Sequence, residues 1–168
     1  MARTVKSKLE IKSIIEQYQK VFMFYLKEDI TVPKPRLTPT ISESLVYHLL
    51  KEKVILKELN ILSVDFSKEG GDLVVSGKIK VEVKSTGASA FQYFSEKDMK
   101  ADYIVWVHFG NMLHNNNADL YIIEGKDLRD LLDSGKIPKS KKISLEKMKK
   151  ILHMPKPTCE VDFFTYLT

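Results

Sequence analysis

Apolar and polar residues alternate in several short segments of the chain, and a period of two predicts half-buried β-strands. The clearest example is 79–84, where three β-branched residues alternate with Lys80, Glu82 and Lys84. Because alternate side chains of a strand leave the same face, Glu82 and Lys84 share one face of the predicted sheet. A short apolar run and a Ser-Gly turn precede this strand, so residues 70–85 predict a β-hairpin.

The loop length of this hairpin decides where Asp72, on the first strand, is placed. A two-residue loop at 76–77 would pair Asp72 with Val81 and send its side chain to the opposite face. A three-residue loop at 76–78 would pair Asp72 directly with Glu82, with the glycine easing the turn. Only the odd loop or an equivalent bulge brings the two carboxylates together, and the alternation leaves both loops open.

Helical spacing of apolar residues indicates further elements on both sides of the hairpin. The predicted helices are 7–27, one starting at Ser42 as N-cap, 90–100, 126–132 and 144–153. Further strands are predicted within 55–66 and at 101–109, 119–124 and 159–167. The pattern predicts a mixed α/β (α+β) fold in which helices flank a central sheet.

The composition is that of an ordinary globular domain. A chain of 168 residues with 43% hydrophobic residues is long enough for one core, so we expect a single domain over 1–168. No run of about 18 apolar residues predicts a membrane span, and the first residues lack the apolar region of a secretory signal. A single cysteine, Cys159, excludes an internal disulfide and favours a cytoplasmic location.

The net charge is +5, contributed by 24 lysines and three arginines against 22 acidic residues. A basic surface attracts polyanions through counterion release, which favours a nucleic acid as partner. A lysine-rich composition alone would produce the same balance, so the charge supports this interpretation without establishing it.

Two carboxylates directly opposite each other repel unless a cation lies between them. Mg²⁺ suits such a pair, since it prefers oxygen ligands and is commonly held by one or two carboxylates together with substrate phosphate. A lysine beside the ion stabilises developing negative charge, or positions and activates the attacking water. Asp72, Glu82 and Lys84 on one face therefore predict metal-assisted phosphodiester hydrolysis.

The tripeptide itself is not specific. An acidic residue two positions before a lysine also occurs at 10–12, 98–100 and 124–126. A lysine-rich hairpin with a solvated outer face would carry the same letters. What distinguishes 82–84 is its context: a Gly-Gly-Asp entry, a short apolar strand, a turn, and the strand Val-Glu-Val-Lys-Ser.

With this context the chain resembles the PD-(D/E)XK nuclease superfamily, most closely the small type II restriction endonucleases. The matching residues are Gly71-Asp72 and Glu82-Val83-Lys84, with nine residues between Asp72 and Glu82. Gly71 stands where the family usually has proline. The resemblance covers 42–124 as the catalytic core. It implies a restriction-endonuclease-like sheet, with Asp72 and Glu82 as ligands of Mg²⁺ and Lys84 as a catalytic residue.

The resemblance also implies cleavage of double-stranded DNA at a short specific sequence by a homodimer. In small restriction enzymes an N-terminal helix often builds the dimer interface, which here would be formed by 1–30; the alternative is that this helix packs on its own sheet. A glutamate on the helix before the hairpin often approaches the metal, and Glu43 matches that placement. The alternative for Glu43 is a favourable charge at a helix N-terminus. Asp65 is a weaker rival for the metal carboxylate.

Candidate DNA contacts lie in three segments, each with a plain structural alternative. Lys34 and Arg36 lie in a proline-rich loop and would contact phosphates. The segment after the Glu-x-Lys carries small or polar residues suited to close approach to DNA: Ser85, Thr86, Ser89 and Gln92. Base-edge donors and acceptors follow in a loop that equally suits a simple hairpin turn: Asn111, His114, Asn115, Asn116 and Asn117.

Three other functions stay open from the residues alone. One is a structure-selective nuclease, such as a Holliday junction resolvase or a repair nuclease. Another is a nucleic-acid-binding domain without catalysis. The third is an interaction module that binds no nucleic acid.

Overall fold

The computed structural model describes residues 4–28, 38–67, 71–87, 91–109, 116–138 and 142–168. Its helices are α1 (Lys8–Lys27), α2 (Pro39–Lys51), α3 (Gly125–Asp133), α4 (Leu145–Ile151) and α5 (Phe163–Tyr166), with a 3-10 helix at Asp98–Lys100. Its strands are β1 (Val64–Phe66), β2 (Leu73–Val75), β3 (Ile79–Thr86), β4 (Phe91–Tyr93), β5 (Tyr103–His108), β6 (Asn117–Glu124), β7 (Lys142–Ser144) and β8 (Cys159–Asp162).

Six strands form one mixed sheet in the order β1-β2-β3-β5-β6-β8. The β3–β5 pair is parallel and its neighbours pair antiparallel. The two remaining strands, β4 and β7, form a separate antiparallel pair. The 3-10 helix and β4 lie in the connection between β3 and β5. This connection is long because two parallel strands can be joined only by a crossover.

Helices cover both faces of the six-stranded sheet. On one face, which we call the first core, α1 and α2 pack through residues such as Ile15 and Leu45 against Val81 of β3. On the other face, the second core, α3 and α4 pack against Ile104 and Trp106 of β5. The predicted mixed sheet flanked by helices is therefore confirmed. No described helix combines the length and apolar character needed to cross a membrane.

Three predicted elements are wrong in detail. The N-cap of α2 is Thr38, not Ser42, because Pro39 supplies the fixed φ that suits a first helical residue. The predicted helix 90–100 is instead strand β4 followed by the 3-10 helix. The predicted strand 159–167 keeps only its first four residues, since α5 begins at Phe163 and Asp162 caps it.

Candidate active site

The β2–β3 hairpin has the three-residue loop. Val75 pairs with Ile79 and Leu73 pairs with Val81, which leaves 76–78 as the loop. Ser76 and Gly77 both adopt positive φ, 51° and 71°, and so reverse the chain tightly. Continuing this register by one residue places Asp72 opposite Glu82, so the odd-loop register is confirmed.

Asp72 is anchored to β3 by both its main chain and its side chain. Its N–H donates to the carbonyl of Val81, and its Oδ2 accepts from the N–H of Val83, each at 2.9 Å. Asp72 is 6% exposed. Gly71 before it has φ +71°, a conformation closed to proline, the residue usual at this position in the resembled family.

The side chains of Glu82 and Lys84 project from the face of β3 that lies opposite the first core. Val81 and Val83 pack into that core with α2, so their alternating neighbours point the other way. Lys84 pairs in register with Trp106, whose side chain belongs to the second core. The Lys84 Nζ donates to Glu82 Oε1 at 2.8 Å.

Asp98 is a second partner of Lys84, a role that no motif in the sequence predicts. Its Oδ2 lies 2.8 Å from the Lys84 Nζ, and its side chain is 5% exposed. Ser95 fixes Asp98, since the Ser95 N–H donates to Asp98 Oδ2 at 2.7 Å and the Ser95 hydroxyl accepts from the Asp98 N–H at 3.3 Å. The Ser-x-x-Asp spacing signals this reciprocal cap, but only the fold brings it to Lys84.

Burial and neighbouring charges give the three groups distinct protonation. Burial, helped by the charge of Asp72, raises the pKa of Glu82 to about 7 despite the hydrogen bond from Lys84. Burial opposes the charge of Lys84, but the hydrogen bonds to Asp98 and Glu82 outweigh it and raise the pKa of Lys84. Burial acts against Asp98 too, yet the hydrogen bonds from Lys84 and Ser95 lower the pKa of Asp98. Asp98 is therefore the anion that balances Lys84 near neutral pH, while Glu82 is close to its midpoint.

The residues fit a divalent ion that keeps part of its water shell. Glu82 Oε2 is buried and accepts no hydrogen bond from the described residues, which leaves one carboxylate oxygen available as a ligand. Among the described residues, no three His, Cys, Asp or Glu side chains lie close enough to form a metal centre alone. Two carboxylates with water and substrate oxygens are the usual ligands of Mg²⁺, whereas structural zinc requires four protein ligands.

Glu43 lies in the second turn of α2 because the helix begins at Pro39. The explanation of Glu43 as a charge in the first helical turn is therefore wrong. Its side chain is 6% exposed, and the helix packs in the first core. The carboxylates that contact Lys84 among the described ion pairs are Glu82 and Asp98, so a role of Glu43 at the metal stays a prediction.

Asp65 lies on the edge strand β1 and is exposed. It pairs with Val74, which in turn pairs with Lys80. Asp65 is therefore in line with the start of β3 and not with Glu82, which favours Asp72 as the site carboxylate.

Two of the predicted DNA contacts that follow Lys84 in the chain, Thr86 and Gln92, have structural partners. The Thr86 hydroxyl is buried; it accepts from Trp106 Nε1 at 2.9 Å and lies 3.1 Å from His108 Nδ1. Gln92 lies on β4, and its amide donates to the Ser85 carbonyl at 2.5 Å. These side chains hold β3, β4 and β5 together, while Ser85 itself is half-buried.

Asn116 and Asn117 join the predicted β5–β6 hairpin to its surroundings. Asn116 has φ 57°, and its Oδ1 accepts from Gln19 of α1 at 2.6 Å. Asn117 is the first residue of β6 and pairs with Asp162. The other predicted DNA contacts lie outside the described residues: Lys34, Arg36, Ser89, Asn111, His114 and Asn115.

Comparison of the chain with models of known protein families and with curated protein sequences found no match. The function proposed for the chain therefore rests on the geometry of the hairpin and its charged groups.

Proposed function

We propose that this chain is a Mg²⁺-dependent endonuclease of the PD-(D/E)XK type that hydrolyses phosphodiester bonds of double-stranded DNA. The observation that supports this most is the hairpin register. It sets two buried carboxylates, Asp72 and Glu82, opposite each other, with Lys84 two residues further along the same face. A hairpin selected only for stability gains nothing from this arrangement, because opposed carboxylates destabilise a strand pair.

Asp72 and Glu82 are the residues that would hold the ion. When bound, Mg²⁺ would supply charge stabilisation at the phosphate and lower the pKa of a water ligand. Asp72 is pre-positioned by the Val83 N–H, so one of its oxygens is already oriented by β3. Glu82 is poised to ionise, since its pKa of about 7 lies near the physiological range and a nearby cation favours the charged form.

Lys84 acts through its positive charge. The raised pKa of Lys84 keeps the ammonium protonated at neutral pH, so it donates hydrogen bonds and does not accept a proton. Fixed between Glu82 and Asp98, it is oriented before substrate arrives, and a pre-oriented donor stabilises developing negative charge effectively. Asp98 is a positioning residue in this scheme.

The finer features of the proposal are cleavage at a short specific sequence and assembly as a homodimer. One small domain carries one cleavage centre, and a twofold dimer supplies two centres for the two strands of a palindrome. Helix α1 packs on its own domain through Ile11 and Ile15. It nevertheless exposes apolar side chains at Leu9, Val21, Met23 and Phe24, which supports its use as an interface as well.

The test is incubation of the protein with plasmid DNA and Mg²⁺, with sequencing of the ends produced. The Asp72→Asn and Lys84→Ala variants should lose at least about a hundredfold in cleavage rate. The matched control is Lys78→Ala, which removes the same side chain from the exposed loop of the same hairpin. Full activity in either site variant would refute the catalytic assignment.

The same experiment separates the alternatives. Discrete plasmid fragments favour a sequence-specific enzyme, whereas cleavage of branched DNA alone favours a structure-selective nuclease. DNA binding that needs no Mg²⁺ and survives Lys84→Ala, without any cleavage, favours a non-catalytic binding domain. A DNA affinity that does not fall as salt concentration rises would count against any electrostatic contact with nucleic acid.

A further inference from the structure

The small sheet β4–β7 has two faces of opposite character. On the inner face, Ile143 is 1% exposed in the second core, and its partner Gln92 hydrogen-bonds the Ser85 carbonyl. On the outer face, Phe91 and Tyr93 are 57% and 58% exposed. Because residues two apart share a face, the two rings lie side by side on the solvent side of β4.

A lysine accompanies these rings. Lys142 of β7 pairs in register with Tyr93, so both side chains leave the outer face. The Lys142 Nζ lies 5.3 Å from the centre of the Phe91 ring. We call Phe91, Tyr93 and Lys142 the aromatic platform. An aromatic surface with an adjacent cation has the chemistry that single-stranded nucleic acid binds, since bases stack on the rings and phosphates contact the cation.

The platform is tied to the candidate active site at three points. Gln92, between the two rings in sequence, bonds to the carbonyl of Ser85, the residue after Lys84. Phe94 turns inward and packs edge-on against Trp106, the register partner of Lys84. Beyond it, Ser95 fixes the carboxylate of Asp98, which contacts Lys84. The rings are thus carried by the segment that positions the catalytic lysine.

We propose that the aromatic platform is a binding subsite for unpaired bases of a DNA strand next to the phosphate that is cleaved. This inference rests on the proposed nuclease function and favours its structure-selective form, which acts on DNA with unpaired nucleotides, over cleavage of a fully paired specific sequence. The net charge of +5 and the exposed Lys142 favour a polyanionic partner over an apolar protein surface. The platform therefore assigns to β4 and β7 a role in selecting DNA with unpaired nucleotides, such as a frayed end, a flap or a junction.

The test measures binding by fluorescence anisotropy in EDTA, so that no cleavage occurs. The probes are a fluorescein-labelled single-stranded oligonucleotide of 12 nucleotides and the blunt duplex of the same sequence. The Phe91→Ala/Tyr93→Ala variant should lose about 5- to 100-fold in affinity for the single strand and much less for the duplex. Phe91→Trp should retain single-strand binding, because a larger ring still stacks.

The matched control is Phe164→Ala, which removes an exposed phenylalanine of α5 whose ring centre also has a lysine nitrogen near it, Lys12 Nζ at 5.6 Å. Phe164→Ala should leave single-strand affinity unchanged. Equal losses in both phenylalanine variants would overturn the platform, as would unchanged single-strand binding in Phe91→Ala/Tyr93→Ala. Sedimentation analysis provides a further check, since a change of oligomeric state in the double variant alone would identify a second copy of the chain as the occupant and overturn the proposal.

The outcome is separable from that of the nuclease proposal. If the wild type cleaves DNA with Mg²⁺ and the double variant binds the single strand normally, the platform is wrong and the nuclease stands. If the double variant loses single-strand binding and the wild type cleaves no DNA, the platform stands as a binding site and the nuclease is wrong.

Discussion

Replacing Asp98 by asparagine tests whether the buried ion pair with Lys84 organises the site. Asparagine has nearly the shape of aspartate, and its side-chain oxygen still accepts a hydrogen bond from the Ser95 N–H, as Asp98 Oδ2 does at 2.7 Å in the wild type. The cap is therefore preserved. What is lost is the charge at 2.8 Å from the Lys84 Nζ. The change therefore isolates the electrostatic contribution of Asp98 from its contribution to the local turn.

The size of the effect follows from the burial of the pair. The side chains of Lys84 and Asp98 are 17% and 5% exposed, so solvent screens their interaction weakly. A hydrogen bond to a charged group contributes about 1.5–3 kcal/mol. Glu82 remains as a partner of Lys84, which keeps the loss below the 3–5 kcal/mol or so of a fully orphaned buried charge. We expect Asp98→Asn to lower the free energy of unfolding by about 2 kcal/mol, or Tm by roughly 4–8 °C.

Urea unfolding in EDTA measures this loss, and an exposed ion pair supplies the control. Lys149 and Glu146 lie 3.1 Å apart, but Glu146 is 72% exposed. Glu146→Gln should therefore cost less than about 0.5 kcal/mol. A double-mutant cycle with Lys84→Met and Asp98→Asn should give a coupling energy above about 1 kcal/mol. If Asp98→Asn costs no more than Glu146→Gln, or if the effects of the two site changes simply add, then the buried pair does not contribute this stability.

Three further predictions concern residues that shape the site. In EDTA the contribution of Glu82 to the free energy of unfolding should decline as pH rises from 4.5 to about 7, because Glu82 keeps its proton in the folded protein and loses it in the unfolded chain. Urea titrations should show this decline in the wild type and not in Glu82→Gln. Gly71→Ala should lower the free energy of unfolding more than Gly135→Ala does in urea titrations. Both glycines have φ near +70°, but only at Gly71 would an added Cβ crowd a carbonyl, that of Val81 at 3.2 Å. Equal losses would contradict this. Thr86→Val should lower the free energy of unfolding by about 1–3 kcal/mol, because it leaves the buried indole N–H of Trp106 without an acceptor. The fluorescence of this single tryptophan reports the unfolding. A loss within error of zero would show that the N–H finds another acceptor.

The fold class could be predicted from the sequence, while the register of the hairpin could not. The alternation in β3 gives the faces, but 76–77 and 76–78 are both acceptable loops for the letters alone. The structure shows contacts from outside the hairpin on its loop: the Ser76 hydroxyl donates to the Asn60 carbonyl and accepts from the Leu62 N–H, each at 3.0 Å. Sequence patterns within a hairpin carry no information on such contacts, which lie 14 and 16 residues away in the chain.

The segment 91–100 shows the same limit for secondary structure. Its apolar residues suit a helix by spacing, yet 91–93 forms a strand because β7 pairs with it from about fifty residues later in the chain. Tertiary pairing overrides local preference more readily in strands than in helices. The start of α2 differs, since Thr38 followed by Pro39 is an N-terminal signal that the sequence itself carries, upstream of Ser42.

The Glu-x-Lys of β3 differs from the three similar tripeptides in its burial, not in its residue types. Glu10 lies on the exposed side of α1, where residues two apart do not face each other, and it pairs with Lys6. Glu124 and Lys126 straddle the junction of β6 and α3 and are both exposed. The tripeptide 98–100 forms no site of its own, yet its first residue, Asp98, supplies the buried anion beside Lys84. A strand places the two ends of the tripeptide on one face, and the crossover between β3 and β5 supplies the third charge. Residues 82–84 therefore belong to a buried arrangement of charges that the other three tripeptides lack.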